Sequence, residues 1–338
     1  GLSNAAADAF AARADVTDMQ ADVSFMLDLP GAPLTASASI TSPDDPSAAA
    51  FYPRQWHFPA IDADEAWAAG FLGSEDVTVA ILDTGIDYEN PDLSGRVDLD
   101  RSVSFLPDED ALVRANFPAK NLITDLQYHG THVAATVVSN GFVGAGVTSK
   151  TTLMGVKVCR VNRSCSFGAI ISGILYAADN GADVANLSLG GSFTKSDFGR
   201  FVGFINKTFN YANAKKMTVV VSAGNSAVDL DADGNSYKTY CDTPNTICVS
   251  ATGPTGFATV NGPFFDVDAP APYTNFGRSS INVAAPGGSA LPVWAVCSQT
   301  SIVLPVCQTG NFILGLSGTS MAAPHVSGVA ALLVDEFG

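Results

Sequence analysis

Basic residues are scarce in this chain of 338: 17 Lys and Arg face 33 Asp and Glu, a formal net charge of -16 with a pI near 4.4. That balance repels a phosphate backbone over most of the surface, so it argues against nucleic acid as a partner and leaves solubility as the plain role of the acidic excess. Long apolar runs are also missing, and no stretch approaches the roughly 20 residues that a membrane span needs. The chain does not open with Met, and neither a basic start nor an apolar h-region follows Gly1, so it reads as processed or partial. No Cys-x-x-Cys and no Cys/His cluster at zinc spacing occurs. Charged residues are only 15%, whereas 47% of the chain is hydrophobic and 31 residues are Gly. This composition fits helices packed closely on a sheet, an α/β protein of one large or two modest domains.

The six cysteines fall as near neighbours, Cys159/Cys165, Cys241/Cys248 and Cys297/Cys307. Of the 15 pairings that six cysteines allow, proximity favours the sequential one, three local disulfides, with buried free thiols as the alternative. Such pairing belongs to an oxidising compartment. Short apolar runs at 77–82, 153–158, 184–189, 218–222, 247–251 and 281–284 predict strands. Several, such as VTVAIL and MTVVVS, do not alternate, as strands buried on both faces of a parallel sheet require. Helical patterns at 132–138, 167–180 and 198–215 lie between them, so a mostly parallel twisted sheet with helices on both faces is predicted. In such a sheet ligands gather outside the carboxyl ends of the strands. Before this region, 5–13 reads as a short helix and 21–28 as a strand, while the Pro-, Ser- and Asp-rich 29–50 reads as linker.

Four segments carry the chemistry. VTVAILDTGID puts Asp83 at the end of a buried strand, where a carboxylate needs hydrogen-bond donors and an imidazole N–H would serve; a satisfied structural Asp is the plainer reading of this segment alone. YHGTHVAATVV places His129 at or just before a helix start, with small Gly130 allowing another chain to approach its ring. A zinc pair with His132 would need a third ligand and usually an intervening Glu, so His132 reads as a packed neighbour. LSGTSMAAPHVSGVAALL opens a helix at Ser320, with Pro324 in or near the first turn and His325 structural. A Ser there is ordinarily an N-cap; the same position also offers free N–H groups and a positive dipole end to a developing oxyanion. TVVVSAGNSA ends a strand at Asn225, a turn residue or an oxyanion donor. VANLSLGGS ends another in a Gly-rich edge at Gly190 and Gly191, able to pair with an extended peptide.

In the chain order Asp, His, Asn, Ser, these segments resemble the subtilisin family of serine proteases over roughly residues 51 to 338. The resemblance implies a serine endopeptidase: Ser320 as nucleophile, His129 as general base and acid, Asp83 orienting it, and Asn225 with the Ser320 N–H as oxyanion hole. Ser188, Leu189 and Gly190 then line the specificity pocket and bind substrate backbone, and Ala223 and Gly224 form its opposite wall. Departures are Asn90, where the family has His before Pro-Asp-Leu, Ala135, where Gly is usual, and an end at Gly338, before further packing elements are expected. Residues 1–28 resemble the second half of the family's inhibitory propeptide, with 29–50 as processing region and 51–338 as peptidase domain; a loosely ordered extension is the alternative. The resemblance further implies a secreted monomer acting on polypeptides, with its own propeptide as inhibitor and no cofactor for the chemistry. DLDADGN sets Asp229, Asp231 and Asp233 at alternate positions before a Gly, half of a calcium loop or a solvated acidic turn. A non-catalytic peptide-binding domain, and an acid-active relative with a Glu-Asp-Ser site, are the competing functions; intact Asp83, His129, Asn225 and Ser320 disfavour the first, and His129 at the base position disfavours the second.

Overall fold

Seven strands, Thr78–Asp83 (β1), Val103–Ser104 (β2), Thr152–Lys157 (β3), Val184–Leu187 (β4), Thr218–Ser222 (β5), Thr246–Thr252 (β6) and Val283–Pro286 (β7), form one sheet in the order β7-β6-β5-β4-β1-β3-β2. Every pairing in it is parallel. The computed structural model describes residues 4–16, 19, 22–40, 45–238 and 240–338. Along β1, Val79 and Ile81 enter one core and Ala80 and Leu82 the other, so the central strands are covered on both faces, while the edge strands β2 and β7 are partly exposed. This is why the strands read as unbroken apolar runs. Burial of each Ile, Leu or Val is worth about 1.5–3 kcal/mol, and the two faces secure the central strands before any loop is placed.

Helices His129–Val137 (α1) and Thr319–Phe337 (α4) pack on the first face, and Phe167–Asp179 (α2) and Gly199–Ala214 (α3) on the second. The helix expected at 132–138 starts three residues earlier, at His129. Its first N–H groups are taken by side chains: His129 donates to Gln127 Oε1, Gly130 to Thr84 Oγ1 and Thr131 to Asp125 Oδ2. These acceptors, two from just before the helix and Thr84 from just past the end of β1, satisfy the groups a helix start leaves unpaired.

The N-terminal segments depart most from expectation. Helix Asn4–Ala11 is present, and Ser24–Met26 pairs antiparallel with Ser164–Ser166. Within the stretch read as linker, Leu34–Ser37 is a strand on the edge of Phe312–Leu316, which also pairs with Val293–Val296. That open edge supplies partners for a backbone whose own sequence favours loop. Of the stretch read as propeptide, residues 1–3, 17, 18, 20 and 21 lie outside the described residues, as do 41–44 of the linker. The disulfides are Cys159–Cys165, Cys241–Cys248 and Cys297–Cys307. Among the described residues no helix is long and apolar enough to cross a membrane.

Candidate active site

Asp83 is the last residue of β1 and is fully buried. Both of its oxygens face the Nδ1 of the equally buried His129, at 2.8 and 2.9 Å, and Oδ1 also accepts from the Thr84 N–H at 2.7 Å. A carboxylate only accepts, so Nδ1 carries a proton and Nε2 is the nitrogen left to act as base. Among the described residues Nε2 has no hydrogen-bond partner. Close approach of the two elements depends on Gly130, where a Cβ would come within 2.1 Å of the Gly85 carbonyl oxygen and 3.1 Å of Asp83 Cβ. Sequence reasoning missed Asp125, also fully buried, which accepts from Thr84 Oγ1, the Gln127 N–H and Thr131. Burial raises its pKa above the ordinary carboxylate value, opposed by Thr131 and Lys157.

Ser320 stands in the first turn of α4, against α1, 5% exposed. Its Oγ donates to the Ser188 carbonyl at 3.1 Å, so the bond to His129 Nε2 is not made in this arrangement. Pro324 lies near the first turn, just beyond it and inside the helix. The N–H it lacks would have bonded the Ser320 carbonyl; Ser188 Oγ donates to that carbonyl instead, at 2.7 Å. Asn225 is fixed through its carbonyl, which accepts from the Thr319 N–H at 2.8 Å and Thr319 Oγ1 at 3.0 Å. Its amide is thereby aimed into the cleft, where Nδ2 donates to the Asp28 carbonyl at 2.9 Å.

The chain's own residues 22–28 thus lie in the cleft. Ser24–Met26 forms its antiparallel ladder on Ser164–Ser166, and the Leu27 N–H continues it to the Arg163 carbonyl. Phe25 packs edge-on against Phe167 and fills the space over Gly191. Asp22 accepts from Ser166 Oγ and the Gly168 N–H at the start of α2. Ser188, Leu189, Gly190 and Gly224 line a cavity beside Ser320, but Ala223 does not. Ala223 is fully buried, its carbonyl taken by Asn275 Nδ2, and Ser222 lines that wall in its place.

The calcium loop is not formed, and the residues present do not fit the ion. Asp231 is spent on backbone and hydroxyl donors of Arg278, Ser279 and Ser280, which hold its pKa far below the usual range. Asp229 accepts from the Asp231 N–H, and Asp233 pairs with Lys195. Among the described residues no three His, Cys, Asp or Glu side chains gather as metal ligands. His132 bonds the Val293 and Leu314 carbonyls, and His325 bonds His57 at 2.8 Å, so both serve packing.

A profile of the subtilase family, Peptidase_S8, matches residues 74–338. The chain is 33% identical over 277 residues to a thermophilic serine proteinase of Bacillus sp. (strain AK1), a match covering 81% of this chain and 55% of the relative. It is 31% identical over 299 residues to thermitase of Thermoactinomyces vulgaris, covering 87% and 86%. The crystal structure of the nisin leader peptidase NisP from Lactococcus lactis shares the fold, with TM-score 0.67, 21% identity and 85% of each chain covered. The chain spans little more than half the first relative and most of the second. With residues 74–338 matched, the chain belongs to the subtilase family of serine-type endopeptidases.

Proposed function

We propose that this chain cleaves polypeptides through an acyl-enzyme on Ser320. His129 Nε2 takes the Ser320 proton as Oγ attacks the scissile carbonyl, and gives it to the leaving amine as the C–N bond breaks. Water then hydrolyses the ester by the same route. Asp83 holds the tautomer and stabilises the imidazolium, while Asn225 Nδ2 and the Ser320 N–H bind the oxyanion. The Asn225 amide on a peptide carbonyl, at 2.9 Å, is the observation that carries the reading. For the attack, Ser320 Oγ must leave the Ser188 carbonyl for Nε2.

The proposal includes residues up to Asp28 as the end of an inhibitory propeptide, with Asp28–Leu29 as the bond presented for processing. It is supported by the ladder on Ser164–Ser166 and the carbonyl on Asn225. Secretion of the enzyme is supported by three disulfides. The proposal takes the chain as a monomer, since every role in it is filled by residues of one chain. No calcium at Asp229, Asp231 or Asp233 enters the proposal. Purified chain should digest an unfolded protein substrate and acquire an N-terminus at Leu29, and Ser320→Ala should do neither. Digestion by folded Ser320→Ala at the parent rate would refute the proposal.

A further inference from the structure

The cavity beside Ser320 has a volume of about 230 Å³, and two of the residues that line it carry a charge, Asp28 and Lys238. Lys238 belongs to the strand Ser236–Lys238, paired antiparallel with Ser192–Thr194. Its neighbour Tyr237 is fully buried and stacked on Phe193 with 4.5 Å between centroids, which anchors the strand. Alternation along a strand turns Lys238 to the other side, where it joins Ser188, Gly190, Gly224 and Ser320 around the cavity. Lys238 forms no ion pair with a described residue, whereas nearby Lys195 is engaged by Asp233 and Asp242.

The residue whose carbonyl meets Asn225 is Asp28, which lines this cavity together with Phe25, Met26 and Leu27 and is the one acidic residue among them. We propose that the enzyme selects an acidic residue on the N-terminal side of the scissile bond, with Lys238 as the counter-charge. This inference rests on the endopeptidase reading. Asp28 makes no ion pair with Lys238 as it stands at the exposed mouth of the cavity. A Glu, longer by one methylene, reaches further toward the ammonium and is at least as good a substrate residue. The chain as a whole is strongly acidic, so an acidic peptide gains nothing from the overall field; selection must come from this local cation.

The test uses fluorogenic peptides of sequence Phe-Met-Leu-X, with X as Glu, Asp, Gln, Lys or Phe before the cleaved bond. Active sites are counted by fluorophosphonate titration in the parent, Lys238→Gln and Lys238→Glu chains. The parent should favour Glu over Gln by about 10- to 100-fold in kcat/KM, the discrimination one charge-assisted hydrogen bond supplies. Lys238→Gln should erase that ratio, and Lys238→Glu should favour Lys. Equal rates for Glu and Gln in the parent, a preference for Phe, or an acidic preference that survives in Lys238→Gln would overturn the inference while leaving the endopeptidase intact. Neither labelling nor hydrolysis of any peptide would remove the endopeptidase reading, and the inference with it.

Discussion

Asn225 uses its two ends for different work. Its carbonyl ties down the Thr319 N–H and hydroxyl at the start of α4, and its amide meets the peptide carbonyl. In Asn225→Ala both are lost: kcat should fall by about 10²–10³ with KM little changed, a magnitude known from the corresponding donor in subtilisin. Stability should fall by about 1–3 kcal/mol for the donors left unpaired. Asn225→Asp keeps the acceptor, so urea unfolding should show stability largely retained while kcat still drops. Equal destabilisation in the two variants would contradict this division. Asp83, His129, Asn225 and Ser320 were legible in the sequence because each sits where a strand or helix ends, a place that local pattern marks. Asp28 and Lys238 were not, because their place at the cavity depends on segments far apart in the chain. Asp125, four residues before His129, carries its signal only through the fold.

At the scale of elements, α4 tolerates a proline in its interior because β4 continues into Ser188, whose hydroxyl replaces the missing donor to the Ser320 carbonyl. Ser188→Ala should therefore cost about 1–3 kcal/mol, measurable by urea unfolding. In a Pro324→Ala background, where an N–H is restored at that position, the same substitution should cost clearly less. An unchanged cost would show that Ser188 acts independently of the proline. The two-faced apolar runs made the central strands readable to within two residues, since burial on both sides leaves no other pattern. The strand Leu34–Ser37 was hidden because its pairing is supplied by Phe312–Leu316, almost the whole chain away. The early start of α1 was hidden because its capping acceptors, Gln127, Asp125 and the distant Thr84, do not stand at the usual N-cap position.

Across the whole molecule, acidification should act through buried histidines away from the cleft. His57 and His325 share one hydrogen bond, His325 Nδ1 donates to the Met321 carbonyl, and His57 Nε2 accepts from the Trp294 N–H. This chain of bonds is complete only with both rings neutral. Burial pushes His325 down to about 4 and His57 well below its ordinary value. With the folded pKa depressed, the unfolded chain takes up the proton first, so this contribution is whole above about 6.5 and is lost as pH falls from there. Asp87, held up to about 6 by burial, works in the opposite sense over part of that window. A comparison with His325→Gln isolates the histidine. Between pH 7 and 5 the parent should lose up to about 2 kcal/mol more stability than the variant, and an identical loss in both would exclude His325 as a contributor. The central claim concerns a single hydroxyl activated by a distant strand and helix. It is tested most directly by treating the chain with a fluorophosphonate and locating the adduct by mass spectrometry. The account predicts one adduct, on Ser320, with labelling slowed by orders of magnitude in His129→Ala; an adduct on another residue, or labelling indifferent to His129, would contradict it.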